Sequence, residues 1–184
     1  KELTNPGIKN LKKAVKEFTE NLEGDWSVYV KDLKSGEKFS INDKAMSSAS
    51  LIKAFTMAAS YENMEKIRIA EGMLLKADSA SQTVTDKLFR LMENMVTYSD
   101  NESFNEMVRL QTASNQFNAG ARVINRYLRE QGYKETAVLH TLAPSNTDSE
   151  GIGSSNMTSV EDCGTLLEKI YRRECVSPED SDQM

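Results

Sequence analysis

The sequence predicts a mixed α/β fold of the α+β kind, a helical domain set beside an antiparallel sheet. Three observations point there. Apolar residues recur at helical spacing near the N-terminus, two short alternating runs follow with turn residues between them, and everything after Asp43 carries a helical pattern broken by polar loops.

Asn5-Pro6 reads as a helix start with proline at the first helical position, and Ile8, Leu11, Val15, Phe18 and Leu22 continue one apolar face until Gly24 ends it. Trp26 to Val30 alternates and is rich in β-formers, Lys34-Ser35-Gly36-Glu37 is turn chemistry, and Lys38 to Ile41 alternates again, so a β-hairpin is expected. Helices are then expected from Ser50 to Met64, Glu65 to Leu75, Val84 to Val96, Glu102 to Leu110 and Ala119 to Gln131, the last stopped by Gly132. Thr158-Ser159-Val160-Glu161 has the capping-box pattern and opens a further helix reaching Arg173. Ser177-Pro178-Glu179-Asp180 looks like the capped start of another. The intervening stretch, Tyr133 to Met157, is longer than ordinary connections, which tend to reach such length when they are functional. The chain thus divides into residues 1–42, a helix and a hairpin, and residues 43–184, an all-helical domain. A lone hairpin needs more strands than these residues supply, so the chain is expected to be a piece of a larger fold.

Composition narrows the function classes. Charged residues make up 28% of the chain and the net charge is −5, with no basic stretch to suit nucleic acid or an anionic membrane. No apolar run approaches the roughly 20 residues of a membrane helix, so no membrane span is expected. Cys163 and Cys175 fall in or beside one expected helix, where their offset corresponds to about 18 Å of rise, too far for a disulfide if the helix is continuous. His140 has no Cys or His cluster around it to complete a metal site, and it reads as a surface or loop residue; no cofactor is called for.

The most informative pair is Ser50 and Lys53. Residues three apart on a helix are neighbours, so the lysine amine can reach the serine hydroxyl. Serine is a weak nucleophile until a base takes its proton, and a lysine made neutral by burial or a nearby positive charge can do so. Ser-x-x-Lys alone is common, with a helix-cap serine followed by a surface lysine as the plain reading. Its weight rises with Ser99-Asp100-Asn101, which falls 49 positions on, at a break between two helical patterns.

Together these motifs resemble the penicillin-recognising serine enzymes, most closely the class A β-lactamase family. Ser50-Leu51-Ile52-Lys53 stands where that family has Ser-x-x-Lys, and Ser99-Asp100-Asn101 matches its Ser-Asp-Asn. Asp32 to Gly36 is similar to the family's first hairpin turn, Asn105 sits where the motif's helix carries an asparagine, and Asn156-Met157-Thr158-Ser159 opens a helix similar to the family's Thr-capped one. The resemblance covers nearly the whole chain. It implies a β-lactamase/transpeptidase-like fold in which this chain carries the first two strands of the sheet, and ~80 further residues with a helix and three strands. It also implies that Ser50 attacks the amide carbonyl of a β-lactam or a D-alanyl peptide, with Lys53 as base or orienter. Ser99 would relay a proton to the leaving nitrogen, and Asn101 would bind the substrate's side-chain amide. Asp100 would anchor its loop through backbone donors. The Ser50 amide, at a helix N-terminus, would form half of an oxyanion hole. A setting outside the cytoplasmic membrane follows by resemblance.

Two departures from the family pattern shape the expectation. No Lys-Thr-Gly or Lys-Ser-Gly follows Ser99, and Lys34-Ser35-Gly36, which has the letters, reads as hairpin-turn residues. The stretch Thr141-Leu142-Ala143-Pro144-Ser145-Asn146 offers no carboxylate where the family has the glutamate of Glu-x-x-Leu-Asn, so slow deacylation is expected. Asp148 and Glu150 lie further along and read as solvated loop charges. The competing readings are a D-alanyl-D-alanine carboxypeptidase or penicillin-binding protein, an inactive binding or sensor homologue, and a helical domain whose motifs coincide by chance. A separate C-terminal fragment completing the sheet is a candidate partner.

Overall fold

The computed structural model describes residues 3–74, 80–142 and 150–184, and of residues 72–74 and 80–86 the backbone alone. Helix α1, Pro6–Thr19, begins where the sequence places it: Asn5 Oδ1 accepts from Gly7 N at 2.8 Å, and Pro6 occupies the first turn, where its missing N–H costs no hydrogen bond. It stops a turn earlier than the apolar spacing suggests, and Ile8 is its one buried side chain. Glu37 holds the start of this helix, accepting from Thr4 and from the Asn5 amide.

Strands β1, Val28–Lys31, and β2, Lys38–Ile41, pair antiparallel with Val28 opposite Ile41 and Lys31 opposite Lys38. The strand starts two residues later than expected: Asn42, at φ +52°, ends the partner strand, and its carboxamide rather than a ladder amide donates to the Trp26 carbonyl at 2.8 Å. Asp32 builds the turn: its carboxylate accepts from Lys34 N at 2.9 Å and Ser35 Oγ at 2.6 Å, and Gly36 takes a φ of +74° that other residues resist. Lys34-Ser35-Gly36 is therefore a turn, as expected from its place in the sequence.

The expectation of purely helical structure after Asp43 needs correction. A second antiparallel pair exists, β3, Met46–Ser47, with β4, Met157–Thr158, extended by Ser48 N to Asn156 O at 2.9 Å. These strands are two residues each, too short to show alternation. A 3₁₀ turn, Ala49–Leu51, follows, and α2 runs over Ile52–Glu62, so Ser50 lies in the turn that leads into the helix rather than in its first turn.

Helix α2 is the centre of the molecule. Ile52, Phe55, Met57, Ala58, Ala59 and Tyr61 are all buried, so it is enclosed by neighbours on nearly every side. Around it pack α4, Ala80–Thr97, α5, Asn101–Arg109, and α6, Phe117–Glu130, while α3, Met64–Leu74, links α2 to α4. Phe104, Phe117, Ile124, Leu128 and Met95 are fully buried in this layer. Helix α7, Val160–Tyr171, packs against β1 and is followed by α8, Pro178–Gln183. The cap of α7 is Ser159, whose Oγ accepts from Asp162 N at 3.2 Å, one residue beyond the expected Thr158. Thr158 is instead committed to β4, its hydroxyl 2.9 Å from Thr136 Oγ1. Ser177 caps α8 as expected, and Cys163 and Cys175 are both free. Among the described residues no helix is long and apolar enough to cross a membrane.

In the described residues of the connection between α6 and β4, side chains bond much of the backbone. Asn125 accepts from Val138 N at 2.7 Å and donates to Val138 O at 2.8 Å. Asn105 does the same for Leu142, at 2.9 and 3.1 Å. Asn156 accepts from Leu139 N and His140 N and donates to His140 O. A carboxamide carries both an acceptor and a donor, so a buried asparagine can stand in for a neighbouring strand. Asp162 completes the anchoring, accepting from Lys134 N, Glu135 N and Thr136 Oγ1.

Candidate active site

The end of β3, the 3₁₀ turn and the first turn of α2 bring Ser50 to the surface and Lys53 inward: Ser50 is exposed, and Lys53 is only 3% exposed. Lys53 Nζ stands 3.2 Å from Ser50 Oγ, the contact that three-residue spacing predicts. The α4–α5 junction supplies the rest. Nζ lies 2.9 Å from Ser99 Oγ and 2.8 Å from Asn101 Oδ1, and it also donates to the Ser99 carbonyl. Ser99 Oγ is in turn 3.0 Å from Ser50 Oγ. The structure thus brings Ser50, Lys53, Ser99 and Asn101 into one hydrogen-bonded set.

Burial dominates the electrostatics of the lysine and pushes its pKa below the ordinary lysine range, with the nearby Asp100 carboxylate pulling weakly the other way. No positive neighbour is needed to explain the direction. Asp100 is the N-cap of α5, accepting from Ser103 N at 2.6 Å; hydrogen bonds from Ser103 hold its carboxyl below the usual range. Its part is to fix the loop, as the sequence suggests.

Two residues of this place take the left-handed conformation, as Asn42, Asn115, Arg173 and Val176 do elsewhere. Ala49, just before the nucleophile candidate, has φ +44°, and Ser99 has φ +55°. A left-handed conformation costs a non-glycine residue on the order of 1–2 kcal/mol, so the surrounding structure must enforce it. Neither residue announces such a conformation in sequence, and this part of the site was not legible there. The contact of Asn101 with Lys53 was also missed, since sequence reasoning assigned that side chain to substrate.

The loop residues sort differently. Asn105 holds the Leu142 backbone, as described above. Glu150 is not a freely solvated charge: its carboxylate meets Arg109, with 2.7 Å to Nη2. Asp148, and Ala143 to Asn146 of the stretch compared with the family's glutamate motif, lie outside the described residues.

An exposed serine beside a buried lysine, on a helical layer flanked by small antiparallel sheets, fits the class of serine-nucleophile hydrolases. The chain belongs to the β-lactamase enzyme family, whose model matches residues 10–184. At the family level it is a serine β-lactamase-like hydrolase, and the mixed fold agrees with that assignment. No protein among those with curated descriptions matches the chain.

Proposed function

We propose that the protein opens β-lactam rings in the manner of class A β-lactamases, through an acyl-Ser50 intermediate that is released slowly. The observation that carries this reading is the set of four oxygens around Lys53 Nζ. The Ser99 carbonyl and Asn101 Oδ1 are acceptors only, so they claim two N–H groups. A neutral amine then has a lone pair left, and the serine hydroxyls are the groups within reach that can donate to it. The same carbonyl and carboxamide oxygens orient the amine, and burial favours its neutral form.

In this mechanism Lys53 removes the Ser50 hydroxyl proton as Oγ attacks the lactam carbonyl carbon. The C–N bond breaks, and Ser99, in contact with both Nζ and Ser50 Oγ, passes the proton to the departing nitrogen. Asn101 positions the substrate's side-chain amide. The backbone amide of Ser50 donates to the developing oxyanion, which is worth about 3–4 kcal/mol for one such donor in a dry site. Slow release follows from the lack of a carboxylate in Thr141–Asn146 and from the engagement of Glu150 by Arg109. A setting outside the cytoplasmic membrane belongs to the same proposal, since β-lactams and D-alanyl peptides are met there.

The test is intact-mass measurement of the protein with excess benzylpenicillin. An adduct of one penicillin on Ser50, absent in Ser50→Ala, is expected. A protein that neither gains the mass nor turns the drug over would refute the acyl-serine reading.

A further inference from the structure

We propose that His140 is the general base that activates water to release the acyl group from Ser50. This rests on the acyl-Ser50 reading above, since it concerns the second half of the same cycle. His140 is the sole histidine of the chain and lies on the α6–β4 connection.

Three features fit it for the task. The first is position. Asn156 joins the histidine to the turn that carries the nucleophile: its carbonyl accepts from Ser48 N at 2.9 Å, and its side chain holds both backbone groups of His140, at 2.9 and 2.8 Å. His140 also borders, with Ser47, Ala49, Leu142 and Asn156, a cavity of about 120 Å³ beside the residue that precedes Ser50. That is room for a few waters, among polar groups able to bind them.

The second feature is the tautomer. His140 Nδ1 is 2.9 Å from Thr141 O, and a carbonyl only accepts, so Nδ1 carries the hydrogen. In the neutral ring the lone pair then sits on Nε2, which is the form a general base requires. The third feature is space made for the ring. His140 pairs with Gly151 across the loop, where a Cβ would come within 2.6 Å of the Leu139 carbonyl oxygen and 2.7 Å of His140 Cδ2, so backbone and ring both close on that position. The side chain is half-buried in a prepared place rather than lying loose on the surface.

The step balances without any further reactant. Nε2 takes one proton from water as the water oxygen bonds to the ester carbonyl carbon. The tetrahedral intermediate collapses with cleavage of the bond to Ser50 Oγ, and the proton held on Nε2 passes through cavity water to that oxygen. The products are the free acid and the regenerated serine.

The experiment follows the Ser50 adduct of benzylpenicillin after unbound drug is removed, in the wild type, His140→Ala and His140→Gln. The expected result is adduct formation at near the wild-type rate and release slowed about 10²-fold in both variants. Added imidazole should speed release in His140→Ala and leave the wild type unchanged. A wild type that forms no adduct overturns this inference together with the acyl-serine reading. Adduct formation with wild-type release rates in the variants, slow release that imidazole does not restore, or a wild-type adduct that is never released each overturns the role of His140 alone.

Discussion

Lys53 sits at a balance that pH should expose. Burial lowers its pKa, while the Asp100 carboxylate favours the ammonium. The reactive form is the neutral amine, which accumulates as pH rises. Acylation of Ser50 by benzylpenicillin should therefore accelerate with pH and level off below about 10.4, the value of an ordinary lysine. Lys53→Met keeps the apolar stem but removes the base, and it should slow adduct formation by about 10²–10⁴-fold and abolish the rise. Stopped-flow rates of adduct formation across pH would decide the matter. A methionine variant that acylates as fast as the wild type would assign the proton transfer elsewhere.

At the scale of elements, the approach of α5 to α6 is set by one missing methyl group. A Cβ on Gly120 would stand 1.7 Å from the Val108 carbonyl oxygen and 2.8 Å from its carbon, and that oxygen is backbone that cannot rotate away. An exposed Gly→Ala change inside a helix ordinarily stabilises by about 0.5–1 kcal/mol. Here the sign should reverse: Gly120→Ala forces the two helices apart and should destabilise by about 3 kcal/mol, lowering Tm by about 6–12 °C. Thermal and denaturant unfolding of the variant measure this, and an unchanged or higher Tm would contradict the packing. The helices themselves were legible because periodic apolar spacing sustained over nine or more residues leaves little ambiguity, and α4, α5 and α6 appear within a few residues of their expected places. The pair β3–β4 was not, since two residues carry no period and the partners are more than a hundred positions apart. The cap of α7 moved by one because Thr158 and Ser159 both suit a cap, and only the tertiary bond of Thr158 to Thr136 chooses between them. The same limit hid Asn125, whose bonds to Val138 exist only after the loop has folded back. The contact of Lys53 with Ser50 was legible because three-residue spacing encodes it, while the approach of Ser99 to both is a tertiary contact that spacing alone does not give. The strain at Ala49 and Ser99 was not legible either, because it is imposed by the elements on either side.

The whole molecule has an uneven core. The large hydrophobic cluster runs from Ile52 in α2 to Cys175 beyond α7, while among the described residues before position 43 Ile8 and Phe39 are the only buried apolar side chains. The hairpin is held to the rest largely by α7: Gly164 lies flat against the Tyr29 ring, and Lys31 and Lys38 make ion pairs with Glu168 and Glu161. Lys31 first, and Arg172 second, hold the Glu168 carboxyl below the ordinary range. Because the folded value is depressed, this pairing stabilises the docked hairpin at pH above about 4.3, the unfolded value, and the contribution is lost as pH falls through the folded value. A unit with few buried contacts opens at lower free energy than the core. Acidification below pH ~4 should therefore release residues 28–31 and 38–41 while α2 and α5 stay closed. Hydrogen exchange, expressed as protection factors to remove the intrinsic pH dependence, should show hairpin protection falling first. Glu168→Gln should weaken the hairpin at neutral pH and flatten that step. Loss of hairpin and α2 protection at one common pH would mean instead that residues 1–42 and the helical layer unfold as a single cooperative unit.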